Sequence, residues 1–467
     1  MKHILSLLLI GISAAAVANA PYASMGGRAG EVSANAARLQ VRLGTHEGQK
    51  LNFAIDPSEG EARVVLSTAG SETRAFISDW QQADLTSDSY LQFSVTGLKA
   101  HSDYEYFFEM RAKRGDSIRQ SPRYQFRTAP AADQDVDISG HIVTCHSHQG
   151  LPIFDVMRRQ STDFMISTGD NVYYDKYDVR SVQEAFWLYQ KDWGTPYSIN
   201  YLASRAAYFM KDDHDYRYND ADPFSKGDWY QPRSWEGYNG LTEDLERADS
   251  DWLTHEEGIR VFKTVFPSSE LPYRTFRWGR GVQVWLLEGR DFRSKNSSED
   301  SASKTIWGAK QKQWLQQSLQ ASDAKFRIIV SPTPLIGPDK PEKSDNHANR
   351  DGFLVEGRAF MDWLIDQGLA NNTFIVCGDR HWQYHSLYRE KVHEFCVGPT
   401  SAYRALPVVT NADSEIRQVF SLSTGGFFRF EYHAANDAID LVNFDEHGKE
   451  TYRFKLSVAD HKQHLSH

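Results

Sequence analysis

The chain has 467 residues, enough for two or three domains, and an ordinary globular composition rich in aromatic side chains. Its formal charge of −10 argues against a general nucleic-acid binder or a binder of anionic membranes, because both need basic faces. It leaves room for a small phosphorylated substrate, since bound cations invert the local field.

Residues 1–20 read as a secretory leader: Lys2 and His3 form the charged start, 4–12 are apolar, and small residues follow. That apolar stretch is too short to span a bilayer and no other segment is long enough, so the mature protein is expected to be soluble and secreted or periplasmic. Three cysteines, Cys145, Cys377 and Cys396, make no disulfide scaffold. A Cys377–Cys396 bridge is conceivable, although both lie in apolar strand-like runs where free thiols are common.

From 22 to 130 the pattern is all-β, with strands expected over 37–43, 62–67, 90–95, 104–110 and 124–127 between Gly, Pro, Asp and Ser turns. Within it, residues 93–106, with Leu98 ahead of Tyr104, resemble the end of a fibronectin type III domain, where a Tyr closes the sandwich with a corner hydrogen bond. A linker is expected at 129–137. From 138 to 460, strands over 141–145, 164–168, 206–210, 282–287, 326–331 and 373–377 alternate with helices over 151–160, 182–192, 254–265, 309–320 and 355–367, which indicates an α/β layered domain. Residues 216–251 are a polar, Trp- and Tyr-rich excursion of the kind that walls an active site. Strands over 427–433, 438–444 and 452–458 close the chain.

Two of the apolar runs stop at Gly-Asp, namely Gly169-Asp170 and Gly378-Asp379. Each aims a carboxylate off the carboxyl end of a buried strand, the edge at which open α/β sheets place their ligands. A third run is followed by Asp212-Asp213-His214-Asp215. Carboxylates gathered at one edge tolerate each other when a metal lies between them. Cys145 and His381 also close strands, and Tyr173 lies three residues beyond Asp170. Thiolate, phenolate and imidazole suit a transition metal, with phenolate favouring ferric iron, whereas carboxylates alone suit Ca2+, Mg2+ or Mn2+. Asp170, on the central strand, is the natural bridge between two such ions.

In kind and order these residues resemble the PhoD-like alkaline phosphatases of the metallophosphoesterase superfamily. The similar segments are Gly169-Asp170-Asn171-Val172-Tyr173, Asp212-Asp213-His214-Asp215, Gly378-Asp379-Arg380-His381, 287–293 and 308–315. Cys145 stands where most metallophosphoesterases begin with Asp. The resemblance covers roughly 30–455 and implies an α/β fold, a layered metallophosphoesterase-type β-sandwich flanked by helices, after an all-β fibronectin type III-like domain. It also implies an exported binuclear phosphoric ester hydrolase holding Fe3+ beside Ca2+, with Mg2+, Mn2+ or Zn2+ as alternatives at the second position. Cys145, Tyr173 and His381 would bind iron, Asp170 would bridge, and Asp213 and Asp379 would hold the calcium side. His214 would be the proton donor or a phosphate contact. Arg290 is expected in catalysis, and Arg290, Arg293 and Asn171 on the substrate, since Arg after a buried strand suits phosphate recognition.

Asp215 replaces the family's Glu, Glu288 replaces an Asp, and Arg380 puts a cation between two expected ligands. Purple acid phosphatases share the Gly-Asp-x-x-Tyr element and an N-terminal β domain, but their Gly-Asn-His-Glu and Gly-His-x-His segments are missing here. Two alternatives stay open. One is a phosphodiesterase or phospholipase D-type activity on the same core. The other is a carbohydrate-binding or adhesion protein that works through its sandwich and the tryptophans Trp229, Trp235 and Trp252. His146 and His148 are expected to be structural or solvent-facing.

Overall fold

The computed structural model describes residues 20–459 apart from 51–52, 72, 148–150, 226–251 and 411–412. The leader, His148, Trp229, Trp235 and most of the 216–251 excursion lie outside the described residues.

Nine strands precede residue 130: β1 (Tyr22–Gly30), β2 (Ala36–Gly44), β3 (Glu61–Thr68), β4 (Arg74–Ile77), β5 (Gln81–Gln82), β6 (Tyr90–Thr96), β7 (Asp103–Arg111), β8 (Arg119–Gln120) and β9 (Tyr124–Arg127). The first of them escapes sequence reading because Gly26, Gly27 and Gly30 interrupt its alternation. β1, β2 and β6 pair antiparallel, while β3 and β7 centre a second sheet. Alternate residues of both sheets, among them Leu39, Val41, Val64, Leu66, Phe93 and Phe108, share one buried core. The Tyr104 hydroxyl accepts the Lys99 N–H at 2.9 Å, the corner bond that the fibronectin resemblance implies.

The α/β part contributes β10 (Ile138–Val143), β11 (Phe164–Ser167), β12 (Ala206–Phe209), β13 (Arg274–Trp278), β14 (Val282–Leu286), β15 (Phe326–Ser331), β16 (Thr373–Cys377), β17 (Gln383–Tyr388), β18 (Val392–Cys396), β19 (Ile416–Leu422), β20 (Gly426–His433), β21 (Ala438–Asp445) and β22 (Glu450–Ser457). Its helices are α1 (Ile153–Arg158), α2 (Val182–Trp193), α3 (Pro196–Leu202), α4 (His255–Val265), α5 (Gly308–Ala321) and α6 (Leu354–Asp366). A nine-stranded sheet runs in the order β22-β21-β20-β10-β11-β12-β1-β2-β6, and a seven-stranded sheet in the order β13-β14-β15-β16-β18-β17-β19. The parallel pairing of β1 with β12, Ala29 opposite Ala206, carries the first sheet across the expected linker, so the N-terminal strands extend the α/β sheet.

The pleat sorts the side chains into layers. Ile142, Ile166, Tyr208, Val284, Ile328 and Val376 enter the core shared by the sheets. Their strand neighbours Val143, Met165 and Phe209 pack with α1–α4, and Trp285, Ile329 and Ile375 pack with α5 and α6. Strands buried on both faces explain the near-continuous apolar runs of the sequence. The helices begin where capping chemistry permits: Ser181 and Glu184 form a capping box on α2, Thr254 and Glu257 one on α4. Cys377 and Cys396 stand opposite each other on β16 and β18, yet all three thiols are free and buried. Among the described residues no helix is long and apolar enough to cross a membrane.

Candidate metal centre

β10, β11 and β12 run parallel, as do β14, β15, β16 and β18, so the residues that follow them gather at the carboxyl edges of the two sheets. Cys145 follows β10, Asp170 follows β11, Asp213 follows β12, and Asp379 and His381 follow β16. The chain turns sharply at each departure: Cys145, Asp170 and Asp379 have φ of 51°, 53° and 61°. Such left-handed conformations in non-glycine residues cost about 1–3 kcal/mol each and persist where surrounding structure enforces them. The preceding glycines show what enforces them. A Cβ on Gly169, itself at φ 118°, would lie 2.7 Å from the Asp212 backbone nitrogen, and one on Gly378 would run into the hydroxyls of Thr144 and Thr168. Both Gly-Asp motifs are therefore places where strand ends touch without room for a side chain.

The six residues expected as ligands converge. The Cys145 sulfur, an Asp170 oxygen and a His381 nitrogen lie within 4.8 Å of one another. Cys145 Sγ is 3.5 Å from Asp170 Oδ2, and the Tyr173 hydroxyl is 3.3 Å from His381 Nε2. Asp170 also groups with Asp213 and His214, and Asp213 with Asp212 and Asp379, each set within the same span. His381 Nδ1 donates to the Arg404 carbonyl at 2.7 Å, which leaves Nε2 facing the site as an acceptor. Asp170 Oδ1 and Asp212 Oδ2 are buried with no hydrogen-bond partner among the described residues. Unpartnered buried carboxylate oxygens beside a thiol, a phenol and an imidazole are a donor set that fits cations.

Electrostatics point the same way. Burial, opposed by His214 and reinforced by Asp213, pushes the Asp170 carboxyl up to about 7. Burial and the Asp170 charge raise Cys145 and Tyr173 well above their ordinary ranges. Burial likewise lowers His381 to about 4, against the pull of its bond to Arg404. Asp213 is held down instead: burial opposes its ionisation, but His214, Arg290 and Lys343 outweigh it.

A family model for PhoD-like phosphatase matches residues 141–449, a span that contains every one of these groups. The chain belongs to the PhoD-like phosphatase family. It is a phosphatase, of a family whose substrates are phosphorylated molecules, and its Asp and His clusters fit a metal-dependent phosphoesterase. Among solved structures it is similar to one described as PhoD, at 14% identity and a TM-score of 0.73, with 94% of this chain and 89% of that one covered. It is also similar to the purple acid phosphatase PPD1 from yellow lupin (Lupinus luteus) seeds, at 13% identity and a TM-score of 0.61, with 94% and 74% covered. At these identities the likenesses speak for the fold: a layered metallophosphoesterase-like α/β sandwich with an all-β N-terminal region. No curated protein matches the chain.

Three residues expected at the substrate of this PhoD-like chain make their contacts with other protein groups. Arg290 is fully buried and spends its guanidinium on Asp212 (2.6 Å), Asp345 (3.0 Å) and the Ala221 carbonyl (3.0 Å), so it props the carboxylate cluster from behind. Arg293 is buried against the Phe353 ring and donates to the Asp345 carbonyl. Asn171 uses its amide on the Met210 carbonyl and on Asp215, and accepts from Ser167 Oγ at 2.7 Å. Arg290 and Asn171 are thereby engaged in packing the strand ends, while Nε and Nη1 of Arg293 have no hydrogen-bond partner among the described residues. Arg380 turns onto Asp339 and Asp379. Glu288 takes a salt bridge from buried Lys211 at 2.7 Å.

The site opens into a cleft of about 630 Å³ whose lining includes His214, Asp379 and His381. Asp175 also lines it and was missed by sequence reading: its Oδ1 is 2.7 Å from His214 Nδ1. Its spacing from Tyr173 gives no clue, because Asp175 sits on a short 3-10 turn (Tyr174–Tyr177) that sequence patterns do not reveal. Burial alone would discharge His214, but Asp175, Asp213 and Asp170 outweigh it and hold the imidazolium. The basic residues of the cleft are Lys176, Lys340, Lys343, Arg380 and Arg404, a local reversal of the chain's negative charge.

Proposed function

We propose that the protein is a binuclear phosphoric ester hydrolase in which Cys145, Tyr173 and His381 hold ferric iron, Asp170 bridges, and Asp213 and Asp379 hold a harder ion such as Ca2+. The observation that carries this reading is the convergence of a thiol, a phenol and a neutral imidazole on Asp170, whose Oδ1 is buried and unpartnered. Soft and phenolic donors on one side and carboxylates on the other select two different cations. Asp212, with its own unpartnered oxygen, is an additional carboxylate on the hard side. When bound, such ions acidify water and neutralise charge that builds on phosphoryl oxygens.

The protein's own groups do the rest. His214 presents Nε2 to the cleft while Asp175 fixes Nδ1–H, so the ring is oriented to give a proton to a departing alkoxide. The Arg404 carbonyl sets the His381 tautomer. Arg290 holds Asp212 and flanks Asp213 at 3.9 Å, keeping two neighbouring carboxylates in place and helping to hold Asp213 ionised. The charged-then-apolar order of residues 1–20 supports export.

Elemental analysis of purified protein, together with a panel of phosphomonoesters and phosphodiesters, tests the proposal. Iron with a second, harder metal and metal-dependent ester hydrolysis are the expected results. Full activity in metal-free protein would overturn it, and exclusive turnover of diesters would redirect it to the phosphodiesterase alternative.

A further inference from the structure

We infer that the cleft holds a second anionic group of the substrate, so that the preferred substrates are small phosphoesters whose leaving group carries a further phosphate; the inference rests on the phosphatase reading and specifies its substrate class. The observation is an imbalance of charge at the mouth of the site. Lys176 Nζ sits 3.6 Å from the centre of the Tyr173 ring, and the Arg404 guanidinium carbon 4.5 Å from the same centre. Both side chains line the cleft and both are partly accessible. Neither has a carboxylate partner among the described residues, and the same holds for the Lys340 ammonium.

The contrast with the other cations of the cleft is informative. Lys343 is paired with Asp220, and Arg380 with Asp339 and Asp379, so those charges are already answered. Lys176 and Arg404 instead crowd one aromatic ring. A cation–π contact at a partly exposed site is worth about 0.5–1 kcal/mol and leaves the positive charge unneutralised. Two cations against one ring at the wall of one cleft both attract an anion that enters it.

That anion is distinct from the phosphoryl group undergoing transfer. The residues that would hold the metal ions facing the latter, Cys145, Asp170 and Asp213, are almost fully buried, whereas Lys176 and Arg404 stand at the partly open wall. A cleft of about 630 Å³ lies within the roughly 300–1,000 Å³ that encloses a whole small ligand, well beyond one phosphoryl group. Forked Arg and flexible Lys together match a phosphate oxygen triad.

The test compares fructose bisphosphate with fructose monophosphate on the metal-loaded full-length protein, its Lys176→Gln and Arg404→Gln variants, and the double variant. The parent is expected to favour the bisphosphate in kcat/KM by about 100-fold at low salt, each single variant to lose about tenfold of that preference through KM, and the double variant to lose nearly all of it. Raising ionic strength to ~0.15 M should compress the preference, because these charges are partly exposed. A parent without preference, a preference that survives in the double variant, or equal losses on both esters would overturn the inference. The last result would mean that the pair serves the transferring phosphoryl group. Cleavage of the monophosphate without preference defeats this inference and leaves the phosphatase reading intact. If neither ester is cleaved, the calorimetric affinity ratio of the same two compounds decides the inference by itself, and the phosphatase reading rests on the wider ester panel.

Discussion

Nδ1 of His214 lies 2.7 Å from Oδ1 of Asp175, and both side chains are buried where the cleft meets the carboxylate cluster. The pair fixes which ring nitrogen is free. His214→Ala should lower turnover of alkyl phosphates by ~10²–10⁴ while metal content stays near that of the parent. Asp175→Asn should cost roughly 10–100-fold, since the imidazole remains but loses its orientation and its charge partner. Both losses should shrink on aryl phosphates, whose leaving group needs less protonation. Steady-state kinetics on an alkyl and an aryl ester, with metal analysis alongside, checks this; loss of metal in either variant would mean that the histidine is a ligand.

Tyr173 and Cys145 make a colour prediction. Purified protein should absorb in the visible through phenolate-to-iron charge transfer. Tyr173→Phe should bleach it, and Asp170→Ala should lose both metals and activity. Absorption spectra with elemental analysis read the outcome directly; colourless, iron-free and fully active protein would rule out iron at this position.

Arg290 separates a structural from a substrate role. Removing one partner of a buried charge network leaves the others uncompensated and typically costs about 3–5 kcal/mol. Arg290→Met should therefore shift urea unfolding by that order, because Asp212 and Asp345 lose their counter-charge. A variant as stable as the parent with a raised KM would restore Arg290 to the substrate.

Glu356 makes a pH prediction away from the site. Burial opposes its ionisation, but hydrogen bonds from His347, Thr305 Oγ1 and the Ile306 N–H outweigh that and lower its pKa from 4.5 to about 2. A depressed carboxyl contributes stability above its unfolded value and loses it as pH falls through the folded value. The contribution, about 3 kcal/mol, should thus be complete above pH ~4.5 and fade down to pH ~2. Denaturation across that window should show a shallower acid limb for Glu356→Gln than for the parent; identical slopes would contradict the assignment.

The strands and helices of the α/β region were legible because their apolar periods are strong and uninterrupted. The helix expected at 182–192 is α2 (Val182–Trp193), and the one expected at 309–320 is α5 (Gly308–Ala321). β1 was illegible because its glycines break the alternation, and β17 and β19 because polar and aromatic residues blur theirs.

By itself the sequence determined which residues leave the strand ends. A Gly-Asp that closes a buried apolar run fixes both the direction of the chain and the chemistry it delivers, and that brought Cys145, Asp170, Tyr173, Asp213, Asp379 and His381 into one group. Tertiary structure alone decided which polar side chains face the cleft and which are spent on one another. Arg290 and Asn171 carry the right chemistry for phosphate, yet their donors are turned to Asp212, Asp345 and Asp215, and Arg293 is buried against Phe353 with one donor on the Asp345 carbonyl. Asp175 and the Arg404 carbonyl act through distances of 2.7 Å to His214 and His381 that no spacing in the chain encodes. Hydrogen bonds are short-range and directional, so a residue's role follows from its neighbours in space, and sheet pairing across hundreds of residues chooses those neighbours.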